Sequence, residues 1–428
     1  MAKRRLSNRQ HRRISAKVTR SDAEGQLEDA REGLVIVQHG RHVEIEDSET
    51  GAIVRCKQRA NLPIVVAGDR ILWRAELSGE QTDEEDTNKV QGKAFDTGTD
   101  TGTDTGTGTG TDAKEGPVNT AQNELEQTCT RAETRRIENA KHAVVESLLP
   151  RSSLIQRPDK FGKLRTLAAN VELMLITIAP KPEPFFNLID RYIVAANYCG
   201  IEPHILINKI DLVDTLDQRE ESGLKESTSI FSGPGSEELV DESIYSDIQE
   251  RLAAIKSFYP SIGVPVIEVS SKHKSGVAAL KNDIAEMTTI FVGQSGVGKS
   301  SLIQSLAPPD AHDIAVGKLS SARDKGRHTT SYSRLYKLVN SASCIDSPGI
   351  REFGLWHMRE SDIIKAFPDV EETAKACKFR DCQHGKEPAC EIQKKISEDA
   401  FFKLRFDSYK AIVHSLNDVD IYQKKREK

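Results

Sequence analysis

The chain has 428 residues, room for roughly two to four domains of ~100–200 residues each. Its 60 basic and 65 acidic side chains leave a net charge of −5, and only 37% of residues are hydrophobic and 5% aromatic. This apolar share is too low for one uniformly packed globule, and no run approaches the ~18 apolar residues of a membrane-spanning helix.

The N-terminus is basic but has no apolar core behind it, which argues against a secretory signal. Lys3, Arg4, Arg5, Arg9, Arg12, Arg13, Lys17 and Arg20 face no acid within residues 1–20. Such a block reads as a disordered nucleic-acid-binding arm. A solvated tail and an Arg-rich organelle presequence compete with that reading, the second weakened by sparse apolar positions (Leu6, Ile14, Val18).

Short β-rich runs begin at Gly33: Leu34–Val37, Val43–Glu46, Ile53–Cys56, Ile64–Val66 and Ile71–Trp73, separated by polar turns. Short strands at regular spacing predict a small barrel or sandwich, and a five-stranded OB-fold is its nucleic-acid-binding form. Arg41, Arg55, Lys57, Arg59 and Arg70 would make its surface basic. An insert at about 77–135 interrupts the barrel. Its centre, Asp96 to Asp112, is almost wholly Thr, Gly and Asp, lacks the Glu and flanking helices of a calcium loop, and reads as flexible. Ala143–Val145 and Leu148-Leu149 would return strand material to the barrel.

Beyond residue 150 strands alternate with helices. Val171–Ile178, His204–Ile207, Val264–Ile267 and Thr289–Val292 read as strands, and Leu188–Tyr198 as a helix with one apolar face. This predicts a mostly parallel sheet covered on both faces. A polar stretch at about 215–245 reads as a loop insertion.

Asn208-Lys209-Ile210-Asp211 follows the strand 204–207 and resembles the Asn-Lys-x-Asp motif of GTPases. A carboxylate at Asp211 accepts two hydrogen bonds from guanine N1–H and the 2-amino group, a donor pair that adenine lacks. Lys209 would cover the base, and Asn208 would tie loops together. Ser270-Ser271-Lys272 follows the strand 264–267 and resembles the Ser-Ala-Lys guanine loop. Gly293-Gln294-Ser295-Gly296-Val297-Gly298-Lys299-Ser300-Ser301 matches the P-loop pattern, with a strand before it and a helix after it. Its backbone N–H groups would wrap a phosphate, Lys299 would reach the β- and γ-phosphates, and Ser300 would ligate Mg²⁺. Gly326-Arg-His-Thr-Thr330 resembles a switch-I segment, in which Thr329 or Thr330 ligates Mg²⁺. Asp346-Ser-Pro-Gly349 resembles Asp-x-x-Gly, with Asp346 holding Mg²⁺ through water and the Gly349 N–H meeting the γ-phosphate. Cys377-x4-Cys382-x-His384-x5-Cys390 forms a Cys₃His zinc set in a segment too polar for a core. Lys375, Lys378, Arg380 and Lys386 give that segment a basic face. Cys56, Cys129, Cys199 and Cys344 are scattered and are assigned no function.

The guanine motifs precede the P-loop, whereas in ordinary GTPases they follow it. The chain therefore resembles circularly permuted GTPases. With a barrel in front and a metal module behind, it is similar to the RsgA (YjeQ) family, bacterial GTPases of small-ribosomal-subunit maturation. The resemblance rests on residues 293–301, 346–356 and 377–384. It implies a multidomain chain with an N-terminal OB-fold β-barrel, a central circularly permuted α/β P-loop GTPase domain and a C-terminal, mainly helical zinc-binding domain. The corresponding boundaries are a basic tail over 1–32, the barrel over 33–150, the GTPase domain over 151–355 and the zinc-binding domain over 356–428.

Many GTPases place a water-orienting Gln directly after Asp-x-x-Gly. Here that position is Ile350, which has no donor or acceptor, so another group must handle the water. His328, beside Thr329 and Thr330, is the candidate catalytic residue, as the family resemblance also implies; RNA binding or packing are its other readings. The expected protein is a cytoplasmic, monomeric GTP hydrolase with one structural Zn²⁺ and with Mg²⁺ on GTP. Its partner would be the small ribosomal subunit and its rRNA, with no membrane involved. A nucleotide-gated RNA-binding scaffold, with hydrolysis incidental, is the alternative.

Overall fold

Alternation of apolar and polar residues builds the first strands. β1 (Arg31–His39), β2 (His42–Asp47) and β3 (Ile53–Gln58) form an antiparallel meander that turns Val35, Val43, Ile45, Val54 and Cys56 inward. The second turn is closed by Asp47, whose Oδ1 accepts from the Thr50 N–H (2.8 Å) and Oγ1–H (2.7 Å). β4 (Arg70–Glu76) pairs antiparallel with both β1 and β5 (His142–Leu148), and β5 runs parallel to β3. The order β1-β2-β3-β5-β4-β1 closes an OB-type barrel around the fully buried Trp73, Ile45, Ile71 and Val145. The structure is a computed structural model that describes residues 30–76, 142–158, 164–213, 247–309, 333–346, 358–385 and 387–426. The basic arm, the Thr/Gly/Asp insert, the 215–245 stretch and Cys129 lie outside these residues.

One expected strand is not one. Residues 63–66 form a loop, exposed at Pro63 and Ile64 and buried at Val65 and Val66, between Pro63, which lacks an N–H, and Gly68, whose φ is +88°. There the Val66 N–H donates to the Asp69 carboxylate (2.7 Å) instead of to a neighbouring strand. Asp69 is itself buried and gripped by Arg151 through two bonds of 2.6 and 2.7 Å. This pins the loop to the segment leaving the barrel. A two-stranded antiparallel sheet absent from the sequence reading follows, β6 (Leu154–Pro158) with β7 (Leu164–Ala169).

The expected α/β alternation comes next. β8 (Leu173–Ile178) is buried at every position and leads to α1 (Phe186–Cys199), which stops at Gly200 in the left-handed region (φ 70°). Then come β9 (Glu202–Ile207), α2 (Ile248–Ser261), β10 (Val266–Glu268), α3 (Val277–Asp283), β11 (Thr288–Val292), α4 (Lys299–Leu306), β12 (Arg334–Lys337) and β13 (Ser343–Asp346). The α2 N-terminus is capped by Asp247, which accepts from the Glu250 N–H at 3.0 Å. β10, β9, β8, β11 and β13 run parallel, and β12 is antiparallel to β13. β12 also pairs with β1, Val37 opposite Arg334, so barrel and α/β unit share one 11-stranded sheet.

The chain ends in helices: α5 (Glu360–Ile363), α6 (Pro368–Lys375), α7 (Glu391–Glu398) and α8 (Ala400–Arg426). α8 is bolted to α1 by a buried polar knot. Arg405, fully enclosed, pairs with the enclosed Asp190 of α1 and with Asp369 of α6 (3.2 Å), and donates to the Ala366 carbonyl (3.2 Å). Asp190 also accepts from Ser408 (2.6 Å) and Tyr259 (2.9 Å). The Phe367 and Phe258 rings lie 4.2 and 5.1 Å from the guanidinium.

Candidate nucleotide site and metal centre

Parallel strands open their C-terminal ends on one sheet edge, where ligands of such sheets bind. β9 delivers Asn208 to that edge, β10 delivers Ser270, β11 delivers Gly293 and β13 delivers Asp346. The permuted chain order thus leaves the spatial order of the motifs intact.

The P-loop conformation depends on its glycines. Gly293 and Gly298 have φ values of 131° and 93°, and a Cβ would run into the Thr177 carbonyl at the first and the Asn208 amide at the second. Lys299 opens α4 and donates Nζ–H bonds to the Gly293 (2.8 Å) and Gln294 (2.6 Å) carbonyls, curling the loop around its own ammonium. Ser295 and Gly296 are exposed at the tip, Val297 is buried under it, and Ser300 and Ser301 sit in the first helical turn.

Asn208 is fully buried and joins two loops. Its Nδ2 donates to the Val297 carbonyl (2.9 Å) and its Oδ1 accepts from the Ser271 N–H (3.2 Å). Lys209, at φ 60°, lies across the P-loop and donates to the Gly296 carbonyl at 2.6 Å and the Lys181 carbonyl at 3.2 Å. Asp211 accepts from the Ser270 hydroxyl at 2.5 Å, and that bond holds its carboxyl below the usual carboxylate range. Lys272 is exposed on the same loop. His273, which the sequence reading did not single out, puts Nε2 3.8 Å from the second Asp211 oxygen. Its only signal was position, one residue after the guanine-loop tripeptide. Asp346 is the last residue of β13 and is half-buried. His328, Thr329, Thr330, Gly349 and Ile350 lie outside the described residues.

Behind the α/β unit, Cys377 follows α6, Cys390 caps α7, and Cys382 and His384 come from the loop between them. Glu387 accepts from the Gln383 (3.0 Å) and Gly385 (2.7 Å) N–H groups, which fixes this loop. The four ligand atoms lie within 4.8 Å of one another. Cys377 and Cys390 Sγ are 3.9 Å apart, and each is 3.6 Å from His384 Nδ1. Zn–S bonds of ~2.3 Å put tetrahedral sulfurs ~3.8 Å apart, so the donor set and its spacing fit zinc. The cysteines are free thiols rather than a disulfide.

Glycine loop, guanine-type loops and a metal-competent Cys₃His cluster define a circularly permuted P-loop GTPase with a barrel and a helical metal module. A family profile described as RsgA GTPase matches residues 148–232 and 241–356. The small ribosomal subunit biogenesis GTPase RsgA of Saccharophagus degradans is 34% identical over 433 residues, covering 98% of this chain and 99% of that one. The protein of the same name from Pseudomonas syringae pv. syringae is also 34% identical, covering 97% and 98%. The chain belongs to the RsgA GTPase family. Its fold is that of YjeQ from Thermotoga maritima (TM-score 0.55, 21% identity, 90% of this chain and 98% of that one). It is also that of YloQ, a circularly permuted GTPase (TM-score 0.54, 19% identity, 92% and 98%). Among the described residues no helix is long and apolar enough to cross a membrane.

Proposed function

We propose that the protein hydrolyses GTP to GDP and phosphate while bound to a maturing small ribosomal subunit, and that hydrolysis ends that engagement. The observation that carries this is the pair of hydrogen bonds by which Asn208 donates to the P-loop and accepts from the 270–272 loop, which makes phosphate and base sites one unit.

In this reading the N–H groups of 293–298 and the α4 N-terminus hold the phosphates. Lys299 exchanges its carbonyl partners for β- and γ-phosphate oxygens. Asp211, kept ionised by Ser270, accepts from guanine, and the Lys209 stem covers the ring. A backbone N–H of the 270–272 loop meets guanine O6. Ser300 and Asp346, with Thr329 or Thr330, would hold Mg²⁺, which neutralises phosphate charge. His328 positions the attacking water in place of the Gln that many GTPases carry where this chain has Ile350, and the Gly349 N–H binds the γ-phosphate.

Cys377, Cys382, His384 and Cys390 would hold one Zn²⁺, a cross-link that lets a segment poor in apolar residues fold. On the barrel, Arg41, Arg55 and Lys57 are exposed and form no ion pair among the described residues, which supports contact with rRNA phosphates. Arg59 and Arg70 are paired with Glu146 (2.7 Å) and Glu32 (2.8 Å), leaving a smaller basic face than the sequence suggested. The boundaries near 150 and 355, a cytoplasmic location and a monomeric state belong to the same proposal.

The test is co-sedimentation with separated ribosomal subunits in GDP, GTP and a non-hydrolysable analogue, alongside GTP turnover with each subunit. Nucleotide-dependent binding to the small subunit and turnover stimulated by it are expected. Binding without stimulation would favour the nucleotide-gated scaffold, and equal binding to both subunits would defeat the assignment.

A further inference from the structure

Among the described residues the exposed large hydrophobics are Ile53, Ile64, Leu164, Met287 and Phe379, and Phe379 is the one aromatic. A single exposed aliphatic side chain is ordinary. Phe379 differs in its setting. It stands 43% exposed between Lys378 and Arg380, on the loop whose two ends are the metal-cluster residues Cys377 and Cys382. The Cys382 N–H donates to the Phe379 carbonyl at 3.3 Å, closing the loop as a tight turn. Lys378 places Nζ 5.7 Å from the ring centroid. Arg380 is exposed and forms no ion pair among the described residues, whereas Lys375, on the helix before, is engaged by Glu371 at 2.9 Å. Asp381 is the one acid within the loop.

An aromatic ring 43% exposed, on a turn whose two ends are the metal-cluster residues, is a preordered stacking platform. Flanking cations add attraction for phosphate on either side of a stacked base. This pairing of aromatic and cation is how proteins hold unpaired nucleotides. A protein partner fits less well, because interface centres are depleted in lysine.

We propose that Phe379 stacks on an unpaired RNA base, with Lys378 and Arg380 on the adjoining phosphates. This makes the metal loop a reader of single-stranded RNA. The proposal rests on the reading that the protein engages the small subunit, and it names the feature of that partner which the loop would recognise.

The test uses the full chain with its zinc, an unstructured oligoribonucleotide, a duplex of equal length and isolated small subunits. In Phe379→Trp, indole emission should be quenched by the oligoribonucleotide and little by the duplex. Phe379→Ala should bind small subunits about ten-fold more weakly at an unchanged salt slope, and Phe379→Tyr should restore the affinity. Lys378→Ala should lower the salt slope by about one. Zinc content and thermal midpoint at wild-type values establish that each variant is folded.

Wild-type subunit affinity in Phe379→Ala overturns the proposal, as does an indole at 379 that the oligoribonucleotide leaves unquenched. Weakened subunit binding without any response to RNA alone would assign the ring to a protein surface and equally overturn it. Wild-type protein that does not bind small subunits refutes the underlying reading instead, and the quenching titration still decides stacking.

Discussion

Replacing Arg405 by Met should loosen the C-terminal helices from the α/β unit. Met retains much of the buried stem but removes the guanidinium, leaving Asp190 with no exposed surface and only Ser408 and Tyr259 as partners. Burial opposes the charge of Arg405, and Asp190 and Asp369 more than restore it, so wild-type Arg405 is protonated at every working pH. Removing one partner of such a buried pair costs about 3–5 kcal/mol. At ~2–4 °C per kcal/mol for a unit of this size, the midpoint should fall by roughly 6–20 °C. Arg405→Lys should not rescue it, since one ammonium cannot reach Asp190, Asp369 and the Ala366 carbonyl in the fork geometry. The double variant Asp190→Asn/Arg405→Met removes both charges, so its cost should be below the sum of the singles by ~1–3 kcal/mol. Thermal unfolding by circular dichroism gives the midpoints, and limited trypsin digestion reports release of the last helices. A midpoint for Arg405→Met within ~2 °C of wild type, or costs that simply add in the double variant, would refute the reasoning.

Asp211→Asn should lose GTP affinity by about ten-fold or more and gain xanthosine triphosphate affinity, because the hydrogen-bonding pattern inverts. Since Ser270 keeps the Asp211 carboxyl below the usual range, the preference for GTP over ATP should persist on acidification to ~pH 5, as parallel titrations of the two nucleotides will show. Elemental analysis should find one zinc per chain, and Cys382→Ser should render the C-terminal helices protease-sensitive. Chelation should raise the count of reactive thiols by the three cluster cysteines, Cys377, Cys382 and Cys390. Cys56 and Cys199, pushed up to about 12 by burial, and the enclosed Cys344 stay silent in the same thiol assay. His328→Ala should keep GTP and GDP affinity within a few-fold, lower subunit-stimulated turnover by roughly ten-fold or more, and lengthen residence on the subunit. Normal stimulated turnover would move that role elsewhere.

The local chemistry was legible in the sequence because it needs particular residues at short spacing. A phosphate loop requires glycines where φ is positive, as at Gly293 and Gly298, and a thiolate–imidazole metal site requires its ligands within a few residues. Barrel and sheet strands were legible from their apolar runs, since one buried face or two leave a pattern. Two exceptions were Ile64–Val66, an apolar run that forms a loop in which the Val66 N–H finds the Asp69 carboxylate, and the β6–β7 pair. Tertiary structure alone decided the joints. Arg405 sits in a run, Phe-Lys-Leu-Arg-Phe, with nothing to mark it from a surface helix residue, and its partner Asp190 is 215 positions away. The pairing of β12 with β1 likewise depends on two short edges meeting across most of the chain, and no residue in Arg334–Lys337 announces it. A burial pattern or a ligand spacing is a property of neighbours in sequence. Which edge or charge meets which is settled by the packing of the whole, where the unpaired strand edge and the buried carboxylate each must find a partner or be destabilising.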